Sequence, residues 1–161
     1  MSEMNLVVRS VSGVDLRAAT ELLFHQQQAN KRNVTLDTLR PMVQAALEDA
    51  SHIFFFGAFH EGLPGFQHGK MVGVLIMNVS FSLEHAGEVG WIQELFVRED
   101  YRRKGLGDRL ITLALEWAQA RGLRALNLEL GQGHDPDAAT NLYVRRQFEL
   151  VRCTRLTKTF P

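Results

Sequence analysis

The stretch Val97-Arg98-Glu99-Asp100-Tyr101-Arg102-Arg103-Lys104-Gly105-Leu106-Gly107 sets three consecutive basic side chains directly before a glycine pair. Glycine accepts the positive φ of a tight turn, and such a turn lets several backbone N–H groups point into one small space. An amphipathic pattern begins at the glycines, so the positive end of a helix dipole adds to the same field. Arg102, Arg103 and Lys104 around that turn suit a pyrophosphate. Two common phosphate loops do not fit. The loop of nucleotide hydrolases needs Gly-x-x-x-x-Gly-Lys-Ser/Thr. Here Lys104 precedes the glycines, and Asp108 stands where a Mg²⁺-binding hydroxyl is required. The dinucleotide fingerprint needs Gly-x-Gly-x-x-Gly; Gly105 and Gly107 supply the first two glycines, and Leu110 replaces the third.

A third pattern does fit. Arg102-Arg103-Lys104-Gly105-Leu106-Gly107 matches Arg/Gln-x-x-Gly-x-Gly/Ala. In this the chain resembles the GNAT superfamily of N-acetyltransferases, where that pattern is the coenzyme A pyrophosphate loop. Upstream, Ile92-Gln93-Glu94-Leu95-Phe96-Val97 is similar to the family's fourth strand. Downstream, Ala138-Ala139-Thr140-Asn141-Leu142-Tyr143-Val144-Arg145-Arg146-Gln147-Phe148 is similar to its Ala-x-x-Leu-Tyr-x-x-x-Gly-Phe segment. Gln147 replaces the usual glycine, so the turn there is expected to differ. Asp135, Pro136 and Asp137 stand where the family has an asparagine. The resemblance implies acetyl-CoA as cosubstrate and no metal. It also implies a cofactor-binding set of Leu95, Phe96 and Val97 on the strand, Arg102, Arg103, Lys104, Gly105, Leu106, Gly107 and Asp108 in the loop, and Tyr143.

Acetyl transfer to an amine makes three chemical demands. An ammonium of pKa about 10.4 is roughly one part in a thousand neutral near pH 7, so the acceptor must lose a proton. The thioester oxygen needs a donor as the tetrahedral intermediate forms. The departing thiolate benefits from an acid. Tyr143 is the candidate acid, because a phenol is protonated at neutral pH and can donate to sulfur; the competing role is that of a tyrosine that packs its ring and wets its hydroxyl. Glu94 is the candidate base, directly or through water, because it alternates with Ile92 and Phe96 on an otherwise apolar face. Glu129 and His134 are weaker rivals for that role. The oxyanion donor is expected to be a backbone N–H near Leu95 or Phe96. The acceptor site is expected among the first helices, the 31–36 loop with Lys31 and Arg32, and the turn from Glu61 to Lys70.

These residues need elements to position them. Residues 5–11 read as a first strand. Val14 to about Lys31 reads as a helix, with Leu16, Leu22, Leu23 and Ala29 among its apolar positions. A second helix is expected near Asp37, since that start puts Pro41 in the first turn, where a missing N–H costs little; it runs to about Asp49. Strands follow at His52 to Phe59, Met71 to Phe81 and Glu88 to Val97, the first two separated by a turn rich in glycine and proline. Leu106, Leu110, Leu113 and Trp117 recur at helical spacing, and Gly122 stops that helix. Leu126, Leu128 and Leu130 alternate with polar or small residues as a strand. A short helix from about Asp137 to Arg146 and a strand from Phe148 to about Lys158 end the chain. The order is β-α-α-β-β-β-α-β-α-β. Hairpin-linked strands are expected antiparallel, and the strand–helix–strand unit around Gly105 parallel and right-handed. The fold class is α/β (α+β), a central mixed sheet flanked by helices. The resemblance implies that the strands on either side of the pyrophosphate loop splay apart and that the pantetheine arm inserts between them.

With 161 residues the chain is expected to form a single domain, 1–161, with a real core. Eighteen basic and eighteen acidic residues cancel, so no global field exists to hold nucleic acid. Cys153 is the sole cysteine, which excludes an internal disulfide and argues against a metal set. The start, Met1-Ser2-Glu3-Met4, lacks the basic and apolar regions of a signal peptide, and no stretch reaches the roughly 20 apolar residues of a membrane span. The expectation is a soluble cytoplasmic protein with no membrane partner. Its substrate is a small-molecule amine or a peptide or protein amine, and the resemblance adds a homodimer. The alternative function is a non-catalytic acyl-CoA-binding sensor, which needs the same loop but neither Tyr143 nor Glu94. An acyl donor longer than acetyl also stays open.

Overall fold

Runs rich in β-branched and aromatic residues build one sheet in the computed structural model, which describes residues 4–130, 136–149 (136–139 as backbone), 151 and 156–160. Its strands are β1 (Leu6–Ser10), β2 (Ile53–His60), β3 (Lys70–Ser82), β4 (Gly87–Val97) and β5 (Ala125–Leu128), and their order in space follows their order in the chain. Neighbours from β1 to β4 are antiparallel, while β4 and β5 are parallel, as a strand–helix–strand crossover requires. The sheet is therefore mixed, as the sequence reading had it. The chain divides into two compact units, Met1–Glu129 and Leu130–Pro161.

Within the first unit, alternation along β2 sorts the phenylalanines to two faces. Phe55 and Phe59 join Met71 and Val74 under Ala19, Leu22 and Leu23 of α1 (Leu16–Ala29) and Val43 of α2 (Leu36–Glu48). Phe54 and Phe56 turn the other way, onto Trp117 of α3 (Leu106–Arg121), with ring centroids 4.1 and 6.1 Å apart. Fully buried side chains such as Phe56, Phe59, Leu75 and Leu110 each contribute on the order of 2 kcal/mol by leaving water.

Two helix starts differ from the sequence reading. Gly13–Asp15 form a 3-10 turn, and α1 begins only at Leu16. In α2, Thr35 is the N-cap and its Oγ1 accepts the Thr38 N–H at 3.2 Å, which puts Pro41 inside the helix rather than in its first turn. The cap decides the start, and both Pro41 and Asp37, whose carbonyl loses a donor four residues on, are exposed to water.

In the second unit, α4 (Pro136–Val144) ends in two bonds, from the Gln147 N–H to the Val144 carbonyl at 3.0 Å and from the Phe148 N–H to the Tyr143 carbonyl at 3.1 Å. That closure needs a left-handed residue, and Gln147 takes φ +63°. The turn thus keeps the shape glycine would give it, against expectation; the backbone bonds, not the residue type, set it. Of the strand expected over residues 148–158, residues 150 and 152–155, Cys153 among them, lie outside the described residues. The other residues of that stretch belong to no strand.

Candidate active site

The site begins where β4 loses a partner. Parallel pairing runs from Val89↔Ala125 to Ile92↔Leu128 and stops. On the other side, Ile76 faces Glu94 while Met77 faces Ile92, so Gln93 is an extra residue in β4. Such a bulge bends and twists a strand. Here it falls where β4 and β5 part, and among the described residues no strand pairs with residues 93–97 on the β5 side. An unpaired edge presents free N–H and C=O groups, a suitable template for an extended, amide-bearing arm. Leu95, Phe96 and Val97 are half-buried along this stretch.

The strand leads into the basic loop. Glu99–Tyr101 make a 3-10 turn, and the buried Tyr101 anchors it, its hydroxyl 2.8 Å from Nδ1 of His60 at the end of β2. Arg102 folds back, its Nε–H donating to the Val97 carbonyl at 3.0 Å. Arg103 takes φ +59° and Gly105 φ +73°, so the chain makes two left-handed steps before α3. Gly105 is the N-cap and offers no side chain to the helix start. The first helical bond runs from the Arg109 N–H to the Gly105 carbonyl at 3.0 Å, which leaves the N–H groups of Leu106, Gly107 and Asp108 without a carbonyl inside the helix. Arg103, Lys104 and Gly105 are exposed, and neither basic side chain there pairs with a described residue. Leu106 is buried and fixes the helix to the core, while Asp108 places a carboxylate in the first turn, where the dipole favours it. Exposed cations beside a helix start that has no side-chain cap suit an anionic group.

Glu94 lies under the last turn of α1. Gln26 donates from Nε2 to its Oε2 at 2.7 Å, and the ring of His25 stands 6.3 Å from that of Phe96. Next to Glu94, the bulge residue Gln93 donates from Nε2 to Oδ1 of Asn78 at 2.8 Å. The sequence reading did not find Gln26. A signal existed, since it falls four residues after Leu22 and three after Leu23, on the buried stripe of α1. Its place in a run of three glutamines hid it.

Glu94, Leu95, Phe96, Val97 and the 102–108 loop all belong to the first unit, and Tyr143 to the second. Tyr143 is buried, its ring edge-on to Phe148 at 5.5 Å, and burial pushes its phenol above the usual tyrosine range. It holds its proton at neutral pH. Glu129 is exposed just after β5, and His134 lies outside the described residues. Arg32 donates to Oε1 of Gln27 at 3.2 Å, and Lys31, at φ +54°, ends α1. A cavity of about 500 Å³ opens beside the 61–70 turn, lined by Arg9, Val14, Glu61, Phe66 and His68, and its wall includes neither Glu94 nor the basic loop. Among the described residues no group of three or more His, Cys, Asp or Glu could hold a metal, and no helix is long and apolar enough to cross a membrane.

Comparison with known proteins gives concordant results. The model of the acetyltransferase (GNAT) family matches residues 17–148, across both units. An uncharacterized N-acetyltransferase of Methanocaldococcus jannaschii is 37% identical over 83 residues, 51% of this chain and 36% of that protein. The aminoalkylphosphonate N-acetyltransferase of Salmonella typhimurium is 34% identical over 62 residues, 38% of this chain and 40% of that protein. The matches thus span well under half the length of these curated relatives. Among solved structures, an aminoglycoside N-acetyltransferase in complex with CoA shares the fold at a TM-score of 0.76, with 15% identity, over 98% of this chain and 97% of the other.

Proposed function

Because the chain belongs to the acetyltransferase (GNAT) family, we propose that it transfers the acetyl group of acetyl-CoA to a primary amine. One observation carries the reading: the edge of β4 over residues 93–97, which pairs with no strand on the β5 side among the described residues, runs directly into a basic loop and a helix start without a side-chain cap. The edge would take the pantetheine arm by backbone hydrogen bonds, and Arg102–Asp108 would hold the pyrophosphate. In the reaction the amine nitrogen attacks the thioester carbonyl, and Glu94 removes its proton, directly or through water. A backbone N–H near Leu95 or Phe96 meets the oxyanion. The C–S bond then breaks, and Tyr143 gives its proton to the thiolate. The proposed acceptor is a small amine, a class supported by a curated relative named for aminoalkylphosphonates and a structural neighbour named for aminoglycosides. Both units serve one acetyltransferase domain, and the dependence on acetyl-CoA suits a cytoplasmic site of action.

The test is release of coenzyme A thiol from acetyl-CoA over a panel of aminoalkylphosphonates, aminoglycosides, amino acids, polyamines and peptides. Turnover with a small amine is expected. Tight coenzyme A binding with no turnover across the panel would replace the enzyme by a binding module.

A further inference from the structure

Gln26 carries an anomaly. It is 5% exposed, its Nε2 donates to Glu94 at 2.7 Å, and its Oε1 is buried with no hydrogen-bond partner among the described residues. A buried carbonyl without a donor costs stability, and such orphans are rare in folded proteins. Turning the amide over gives no relief, because it would set the carbonyl against the Glu94 carboxylate. The side chain is therefore held in an orientation that costs the fold something and serves one contact. A glutamine chosen for packing alone would be better replaced by leucine or methionine, since its neighbours Leu22 and Leu23 are core residues.

We infer that Gln26 is a positioning residue for the proton-accepting step: its amide N–H, 2.7 Å from Oε2, fixes the Glu94 carboxylate toward the site. The inference rests on Glu94 being the base. Among the described residues the setting isolates this contact. The facing stretch of β3, Gly73 to Asn78, has no titratable side chain; α3 packs on the opposite face of the sheet; and α1 contributes one titratable neighbour, His25, beside Phe96. Asn78 is occupied by Gln93.

Loss of this bond in Gln26→Leu or the unbranched Gln26→Met should leave the Glu94 carboxylate poorly aimed and lower kcat/KM for the amine about tenfold at pH 7, the loss lying in kcat. The KM for acetyl-CoA should hold. Tm should stay level or rise, because the orphan carbonyl goes with the amide. In a Glu94→Gln background the Gln26 substitution should do nothing further, and His25→Gln should keep the parent rate. A lower Tm with the parent kcat makes Gln26 merely structural and overturns the inference. So does an equal Gln26 effect in both Glu94 backgrounds, or an equal loss of rate in His25→Gln. A fully active Glu94→Gln variant instead overturns the base assignment beneath it. A slow Glu94→Gln beside Gln26 variants with the parent kcat removes only the role of Gln26.

Discussion

A phenol helps a leaving thiolate only while it still has its proton, so the direction in which burial moves Tyr143 matters. Desolvation disfavours the phenolate and raises the pKa above the ordinary 10. Any basic limb due to Tyr143 therefore lies above pH 10, and the acid is fully present through neutral pH. Tyr143→Phe keeps the ring against Phe148, so fold and acetyl-CoA binding should survive. General acids contribute on the order of 10²–10⁴ in rate, and the lower end fits a thiolate, which leaves fairly well unaided. Steady-state kinetics should show the loss in kcat, not in the KM for acetyl-CoA, and the loss should shrink with a more acidic leaving thiol. A variant at the parent rate, with chemistry rate-limiting, would return Tyr143 to packing. Tyr143 was singled out by the resemblance of Leu142-Tyr143 to the family's segment, and Glu94 by its alternation with Ile92 and Phe96 on an otherwise apolar face. Gln26 was not, because its meaning lies in a contact across 68 residues of chain that no local spacing encodes.

At the scale of elements, helix caps decide what the pyrophosphate meets. Gly107 is the second residue of α3, so valine fits its helical backbone, yet a branched side chain there should keep phosphate from the N–H groups of the helix start. Losing one charge-assisted hydrogen bond costs about 1.5–3 kcal/mol, so Gly107→Val should weaken coenzyme A binding about 10–100-fold by calorimetry with little change in Tm. Unchanged affinity in a folded variant would remove the loop from the site. The C-terminal cap of α4 gives the opposite case. Gln147 holds φ +63°, which costs a residue with a Cβ roughly 1 kcal/mol. Gln147→Gly should raise Tm by about 2–4 °C, and a fall would show that the side chain stabilises the turn in another way. Periodicity made the first four strands and α3 legible almost to the residue, and α1 to within two residues at each end. The start of α2 lies one residue before Asp37, and what the reading missed there is the place of Pro41, which falls inside the helix because Thr35 supplies the cap. The bulge at Gln93 was invisible for a related reason: an unpaired extra residue leaves no mark in an alternating sequence.

At the scale of the whole molecule, stability should carry a pH signature from a residue far from the chemistry. Asp15 is 1% exposed in the 3-10 turn before α1, and the Arg9 guanidinium of β1 meets it in two bonds of 2.9 Å. Arg9 also donates to the His68 carbonyl and lies 3.8 Å over the ring of Phe59, so one ion pair joins β1, the helix entrance and the 61–70 turn. Burial alone would raise the Asp15 pKa; the hydrogen bonds from Arg9 and the Ser12 N–H outweigh it, and the carboxyl ends below the ordinary 3.8. A carboxylate with a lowered folded pKa stabilises the protein at every pH above its unfolded value, and that contribution is lost as pH falls through the folded one. The window is therefore below about pH 4, not near neutrality. Removing one partner strands a charge. Because Arg9 is one-third exposed, the cost of Asp15→Asn belongs at the lower end for buried pairs, about 3 kcal/mol at pH 7. In a chain of this size that lowers Tm by roughly 6–12 °C. Thermal melts from pH 7 to pH 2 should show the gap between parent and Asp15→Asn constant down to about pH 4, then narrowing as the parent carboxyl takes its proton. A gap that stays constant to pH 2 would mean that Asp15 stabilises the fold through shape and not through charge.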